Sequence, residues 1–568
     1  MKTEIVNTNV LVIGGGGAGC RAAIEAHDEG AEVLMIVKGR LGHSGCTLHV
    51  GISSAVGPWA DEADSNEISM RDLLSHGGFL GNQDLAKIVI EDSLDRVLEM
   101  ERWGIEFDRT DGGEMRVTQD PEHSYPRSFY FKPSFPSTHD YGSPPGIAIM
   151  DILMREMKKR NIPVMNDVVL VDLLTTDGRI VGATALDCSK GELMVIKARS
   201  VVLATGTYSQ IFDPTTVSSQ ETGDGHCAAY RAGAELIDME NTQFVATETR
   251  TNPESIFLNN LGEEFLPKYG IRRPRDVTKE ELCYAVWKEV REGRGTKDEK
   301  IYIDVNGTHH MNLSDPGVIK SGPRAHTTTG GLKIDNRCET TLPGLYASGA
   351  IAGAVYGHAR PQGYTSMITL VLGKRAGLFA AKDQALVEKP VLDEAQVKAS
   401  MKRATDLVER SGGLKPNELK AQIRSTMRRH AWVIKDKAGL TEGLEKIREI
   451  REIMKISAEH STSRVSPVDG FNWAEYLEVP NMLLTSEMML VGSLERKESR
   501  GAFFRDDYPD TDNENWLKNI VYSKVQGSLN LKVVSVDLKY CKPELEEGGG
   551  MISEIGVPTS VEKHQSTC

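Results

Sequence analysis

The chain has 568 residues, 39% hydrophobic and 26% charged, which is the composition of an ordinary globular protein and too long for one core, so about three or four domains are expected. A formal net charge of −14 excludes a general nucleic-acid binder, which would need a basic surface, but permits an anionic substrate in a local basic pocket. None of the eight cysteines is paired as CxxC, so neither a zinc ribbon nor an iron–sulfur cluster ligated by this chain alone is expected, and no other metal site is read from the sequence.

Met1-Lys-Thr-Glu leads almost directly into VLVIGG, and no apolar run reaches membrane-spanning length, so a cytoplasmic setting without signal peptide or membrane span is the expectation. Val10–Ile13 reads as a short buried strand, Cys20–Glu29 as a helix and Ala31–Val37 as a second parallel strand. Between the first two lies Gly14-Gly-Gly16-Gly17-Ala18-Gly19, which in this βαβ context reads as a dinucleotide-binding turn. Gly14 makes the turn, Gly16 lets backbone approach a pyrophosphate at the helix N-terminus, and Gly19 lets helix and strand pack. The ribose-binding acid expected at the end of the second strand is missing; Val37-Lys38 stands there. The loop Gly39–Gly57 is rich in small residues, which lets a flat cofactor lie against backbone.

Leu85–Trp103 and Ile147–Arg160 carry helical spacing, the first ending at Gly104. Val168–Leu174, Ile180–Leu186 and Glu192–Ile196 read as a small antiparallel unit with a turn at Asp177-Gly178, followed by a separate buried strand, Val201 to Gly206, ending in Ala204-Thr205-Gly206. Thr222-Gly-Asp224-Gly225 opens a helix, with Asp224 as cap or cofactor ligand. From about 238 to 323 the composition is more polar, with a Trp-bearing helix (Lys279–Glu292) and an isolated strand (Ile301–Val305), which reads as an inserted domain. Residues 396–494 are almost all helical, with breaks expected at Gly439 and Pro480. Arg500–Lys518 is read as a solvated, aspartate-rich loop, Ser528–Leu538 as an alternating strand, and Glu546–Cys568 as a mobile tail. The expected segments are 1–238, 239–325, 326–388, 389–499 and 500–568: a Rossmann-like α/β dinucleotide-binding domain in two parts around an inserted α+β domain, then a helical bundle and a small C-terminal domain.

The glycine turn, the loop to Gly57, Ala204-Thr205-Gly206 and Thr222–Gly225 with RAGAELIDMENTQF are followed in order by His326-Thr-Thr-Thr-Gly-Gly331, Leu342–Gly349 and Glu498-Ser-Arg-Gly-Ala502 with DDYPDTDNENWLK. Together they resemble the flavoprotein subunit family of succinate dehydrogenase and fumarate reductase, which also includes L-aspartate oxidase and adenylylsulfate reductase. The resemblance implies FAD, an iron–sulfur protein partner and a small carboxylate substrate. It places FAD on Gly14, Gly16, Gly17, Ala18 and Gly19, on Val37, Lys38, Ser44, Gly45 and Gly51, and on Val169. It continues with Ala204, Thr205, Gly206, Asp224, Gly349, Ala350, Arg360, Thr365 and Ser366.

The departures from the family are specific. Ser44 is followed by Gly45 where covalent members carry histidine, so FAD is expected to be non-covalent; Ala350 replaces an acid and Val245 a substrate-binding histidine. The loop Tyr356–Ser366 carries one inserted residue. Arg360 is expected to clamp a substrate carboxylate and His326 to donate a hydrogen bond to it. The proton carrier is left open between Arg275 by motif, Lys279 by spacing, and Arg272 or Arg273 by proximity, because about four extra residues, one helical turn, separate Arg275 from the REGRG run. Thr365-Ser366 would start a helix aimed at the flavin. The first reading is a flavoprotein subunit of a fumarate reductase or succinate dehydrogenase-like complex. The alternatives are an adenylylsulfate-reductase-like or aspartate-oxidase-like enzyme, and an electron-transfer flavoprotein module with a reshaped site.

Overall fold

The computed structural model describes residues 4–132, 146–247, 254–307, 313, 317–409, 415–460 and 470–543; the tail expected to be mobile lies outside them. The first strand, Glu4–Ile13, pairs in parallel with Val33–Ile36 on one side and, along its whole length, with Glu192–Leu203 on the other. Its end, Val10–Ile13, is almost completely buried, as a strand covered on both faces must be. Val164–Met165 extends the sheet beyond Val33–Ile36, and Leu345–Ala347 adds beside the C-terminal part of Glu192–Leu203.

Glu192–Leu203 corrects the sequence reading, which separates Glu192–Ile196 from the strand at Val201. Lys197 and Arg199 alternate with buried Ala198 and Ser200, so the polar interruption is the solvent-side half of a period-two pattern. One strand of 12 residues therefore serves both layers. Its first half continues antiparallel into Arg179–Asp187 and Val168–Thr176, and its second half ends over the glycine turn.

Two helices cover the parallel sheet beside the site, Gly17–Asp28 and Tyr364–Gln384. They touch backbone to backbone, because a Cβ on Gly377 would lie 2.2 Å from the Ala22 carbonyl oxygen. A Cβ on Gly17 would likewise lie 2.9 Å from the Thr369 side chain, so the first turn of the second helix extends past the start of the first.

Among the described residues, the inserted segment holds two small sheets and one α-helix. Thr242–Val245 pairs with Arg324–Thr328, and Ile301–Asp304 lies between Ile256–Leu258 and Val318–Ser321, so the strand expected to be isolated is the centre of three. The helix Lys279–Glu289 starts from a capping box made by Thr278 and Glu281.

After Glu394–Glu409, the helices Pro416–His430, Lys437–His460 and Gly470–Glu495 pack on one another. The last runs through Pro480, against the expected break: Val479, Met482 and Leu483 are at most 1% exposed, and their burial outweighs the roughly 3 kcal/mol of an internal proline. Gly439 lies in the first turn of its helix, donating its N–H to Asp436, instead of breaking it. The hairpin Lys518–Val525 with Ser528–Ser535 joins Leu236–Ile237 and Gly331–Leu332 in one sheet. Within the stretch read as a solvated loop, 506–510 are exposed, but Arg500 and Arg505 are buried beside Glu498 and Arg496.

Lys435, 1% exposed, sits 4.8 Å over the Phe503 ring, and its ammonium has no hydrogen-bond partner among the described residues. Burial, helped by Arg505, lowers its pKa to about 7. The unfolded chain therefore binds a proton that the folded chain gives up between pH 7 and the ordinary lysine value, and stability rises with pH across that window. Lys435→Met is expected to stabilise the protein by roughly 3–4 kcal/mol at pH 7. Thermal unfolding at pH 7 and pH 10 checks this: Tm rises at pH 7 and the gain disappears by pH 10.

Candidate active site

Gly14 ends the first strand at φ +113°, and a Cβ there would lie 2.3 Å from the Ala204 carbonyl oxygen. Only glycine fits this corner, where two strand ends and a helix start meet. A cavity of about 380 Å³ opens over it. Its walls are the backbone from Gly14 to Ala18, the strand ends Ala204-Thr205-Gly206 and Ser348-Gly349-Ala350, and the start of the helix Tyr364–Gln384 through Gly363, Thr365 and Thr369. The N-termini of Gly17–Asp28 and Tyr364–Gln384 thus border one cavity, each with N–H groups lacking helical partners, which favours an anionic ligand. Thr205 Oγ1 and Ser348 Oγ are buried without partners among the described residues, ready to bond a ligand.

The residues expected to bind FAD all line this cavity except three. Gly19 lies behind the turn, where a Cβ would be 1.9 Å from the Gly14 carbonyl oxygen, so its role is packing. Val169 turns away to pack with Trp473 and Leu477, while Val168 and Leu170 face the cavity; the expectation is one residue out of phase on the strand. Ser366 is buried behind Thr365, donating to the Gly363 carbonyl at 2.9 Å and lying 2.5 Å from Ser53 Oγ.

The acid missing at the second strand end is replaced from other elements. Lys38 Nζ lies 2.7 Å from Asp224 Oδ2 and 2.6 Å from Glu478 Oε1, and donates to Thr222 Oγ1 at 2.8 Å. Burial alone would lower the Lys38 pKa, but the two carboxylates reverse this and keep it charged. Asp224 is the first residue of its helix, whose cap is Gly223; it accepts from Asn481 at 2.8 Å, so its work is to hold Lys38 at the wall.

Sequence reasoning passes over several wall residues. Thr47 Oγ1 accepts the Gly17 N–H at 3.0 Å, and Cys46 Sγ donates to Glu221 Oε1 at 3.0 Å. Burial and the Glu221 charge push the Cys46 thiol well above its usual range. Both belong to the small-residue loop before Gly57, whose composition signals a cofactor wall without singling them out.

Arg360, His326, Lys279 and Val245 line the same cavity. Arg360 NH2 donates to His326 Nε2 at 2.7 Å. A guanidinium only donates, so Nε2 is unprotonated and the ring proton sits on Nδ1, 2.8 Å from Thr216 Oγ1. Burial, Arg360 and Lys279 hold the His326 pKa well below 6.5, which keeps this neutral form. His326 therefore orients Arg360 here, whereas the sequence reading makes it a donor to substrate.

Lys279 begins the cap helix, and its Nζ lies 2.8 Å from Glu122 Oε1. Burial would lower its pKa, but Glu122 and Glu280 outweigh burial and Arg360 and raise it. Burial likewise opposes ionisation of Glu122, yet Lys279 and His76 bring its pKa down to about 2. Behind them His76 Nε2 lies 3.4 Å from Glu280 Oε2; Gln243 Nε2 bridges Glu280 Oε1 to the Arg360 carbonyl, at 3.1 Å from the latter. No local signal marks Glu122 or His76, since each is distant in sequence from the cavity residues it serves.

Arg275, the alternative proton carrier by motif, is outside the cavity. It lies on a 3₁₀ turn, Pro274–Asp276, nearly half exposed, 3.2 Å from Glu254. The extra helical turn between it and REGRG displaces it to the surface and brings Lys279 to the cavity instead. Arg272 and Arg273 also lie outside the cavity wall.

The sequence and fold comparisons agree with this arrangement. An FAD binding domain matches residues 9–313 and 284–366, and a fumarate reductase flavoprotein C-terminal domain matches residues 420–547. The chain belongs to the fumarate reductase and succinate dehydrogenase flavoprotein family. It is an FAD-dependent oxidoreductase of that family. A fumarate reductase (CoM/CoB) subunit from Methanothermobacter marburgensis is 30% identical over 558 residues, covering 92% of this chain and 98% of the relative. The succinate dehydrogenase flavoprotein subunit of Rickettsia bellii is 29% identical over 558 residues, covering 90% and 92%. Among solved structures, Mycobacterium smegmatis Sdh1 in complex with UQ1 superimposes with a TM-score of 0.84 at 27% identity, covering 95% of this chain and 96% of that one. The cradle fits FAD: Gly16, where a Cβ would meet nothing nearer than Thr47 Oγ1 at 3.7 Å, leaves backbone open to a pyrophosphate, and the hydroxyls of Thr205 and Ser348, without partners among the described residues, belong to residues of the cavity wall.

Proposed function

We propose that this chain is the catalytic subunit of a fumarate reductase/succinate dehydrogenase-like complex, acting on a small carboxylate and exchanging electrons with an iron–sulfur subunit. The observation that carries the reading is that Arg360, His326 and Lys279 cluster in the wall of the same cavity that the glycine cradle lines. Relatives described as subunits support a partner. Bound FAD, held non-covalently, supplies the hydride donor or acceptor at N5 of its ring system.

Arg360 binds a substrate carboxylate with its fork, and His326 fixes the plane of that fork. Lys279 delivers a proton to the carbon next to the carboxylate, or receives one in the reverse direction. Glu122 holds the ammonium in place, and His76 stands behind it toward Glu280. The N-terminus of the helix Tyr364–Gln384, at Thr365, stabilises negative charge on the cofactor side. The protein works in the cytoplasm or, through partner subunits, at the cytoplasmic face of a membrane; no helix among the described residues is long and apolar enough to cross one.

The charge states give a pH dependence. His326 stays neutral because its pKa lies well below 6.5, and Lys279 stays protonated because its pKa is raised above 10.5. The kcat/KM profile for carboxylate reduction is expected to be flat from about pH 6 to 9 and to fall only on the alkaline side. A limb centred near pH 6.5 would show that His326 titrates in the reaction.

Native isolation tests the assignment. A co-purifying subunit with two cysteine-rich cluster motifs, together with a flavin that fumarate, succinate or close analogues reoxidise or bleach, is the expected result. Bleaching by sulfite plus AMP, or by L-aspartate, with no response to those acids would move the chain to the adenylylsulfate-reductase or aspartate-oxidase activity. A flavin that no small carboxylate perturbs would make it an electron-transfer module.

A further inference from the structure

We propose that the substrate of this site is a monocarboxylate, an α,β-unsaturated acid or its saturated counterpart, whose far end is uncharged. The inference rests on the carboxylate reading above and narrows it. Its basis is the set of cationic side chains that face the cavity.

Among the described residues, the Lys and Arg side chains lining the cavity are Lys38, Lys279 and Arg360. Lys38 is committed to Asp224 and Glu478 at the second strand end. Lys279 is neutralised by Glu122. Arg360 alone is bound to no carboxylate: its NH2 meets a neutral imidazole, and its Nε is buried without a partner. The open half of the cavity thus offers one uncompensated positive charge, enough for one carboxylate.

An apolar side chain, Val245, stands in the same wall as Arg360 and His326. Val245 faces the cavity from the strand beside His326. Its cross-strand partner Arg324 gives its NH2 to the Thr215 carbonyl at 2.7 Å and is not part of the wall. Glu221, also in the wall, contributes a carboxyl group and no cation. A dicarboxylate bound on Arg360 would strip water from its second charge and give it no cation in return. An ester, methyl or aryl group at that end would instead bury apolar surface against Val245.

The chemistry balances with the groups already assigned. In the reductive direction bound FAD would supply a hydride, with its two electrons, for the β carbon of the alkene, and the Lys279 ammonium gives one proton to the α carbon. The products are the saturated acid, oxidised FAD and a neutral Lys279 amine, which is reprotonated through Glu122.

The test uses the isolated FAD-bound protein with a reduced viologen as electron source, comparing fumarate, monomethyl fumarate and crotonate. The kcat/KM for the two monocarboxylates is expected to exceed that for fumarate by about 100-fold or more. Perturbation of the oxidised flavin spectrum gives a readout without turnover: monomethyl succinate is expected to titrate at about 100-fold lower concentration than succinate. Val245→His, with flavin content confirming its fold, is expected to shift the ratio toward fumarate by about 10-fold or more. Fumarate matching or exceeding its monoester would overturn the monocarboxylate inference while leaving the carboxylate oxidoreductase reading intact. A bound, spectrally normal flavin that none of these acids oxidises or perturbs would overturn both.

Discussion

Replacing Lys279 by methionine is expected to lower kcat by about 10²–10⁴-fold while leaving FAD bound and KM little changed. The ammonium shares this part of the cavity with the Arg360 guanidinium, which is taken up by His326, and Glu122 holds it at 2.8 Å. Removing it takes away a group that acts in the transition state more than in the bound complex, so the loss falls on kcat. Rapid flavin reoxidation by substrate, read as a single turnover, separates this step from product release. Arg275→Met, on the surface, is expected to leave the rate unchanged, which discriminates the position implied by the family motif from the one the fold provides. If Arg275→Met abolishes turnover and Lys279→Met does not, the assignment of the proton carrier is wrong.

Arg360→Ala is expected to lower kcat/KM by about 10³-fold, corresponding to roughly 4 kcal/mol of lost carboxylate binding. The size follows from burial: the Nε has no partner among the described residues, so its full strength is available to the ligand. Arg360→Lys is expected to recover little, because an ammonium cannot span the carboxylate and also hold His326 Nε2. Steady-state kinetics and spectral titration with saturated analogues check both, since the titration weakens in step with kcat/KM when the lost contact is already made in the ground state. An alanine variant with unchanged affinity and lowered kcat would place Arg360 on the transition state alone.

The cofactor half of the site is legible in the sequence because its demands are local. Gly14, Gly16 and Gly19 serve a corner built by consecutive residues, and the strand–turn–helix order around them is itself a sequence pattern. Val169 shows the limit: the strand is recognisable, but which of two alternating faces looks inward depends on what covers the other, here the packing of Trp473 and Leu477. The continuous strand Glu192–Leu203 and the proline within Gly470–Glu495 escape sequence reading in the same way. In each, a local break signal is outweighed by pairing or packing with segments far along the chain.

The substrate half is legible as a set of residues and not as a site. Arg360 and His326 both stand out in the sequence, yet their roles follow from a 2.7 Å contact that fixes the histidine as acceptor. Lys279 and Arg275 are separated by one short turn of chain, and only the start of the helix at Thr278 decides which of them faces inward.

The sequence by itself determined the family, its FAD cofactor and the glycine corner, because each is carried by residue identity within short, ordered runs. The tertiary structure alone decided that Lys279 and not Arg275 meets the cavity, that Glu122 and His76 stand behind it, and that Lys38 takes its counter-charges from Asp224 and Glu478. These are pairings between residues dozens to hundreds of positions apart. Their energies depend on distance and burial, which no local pattern encodes.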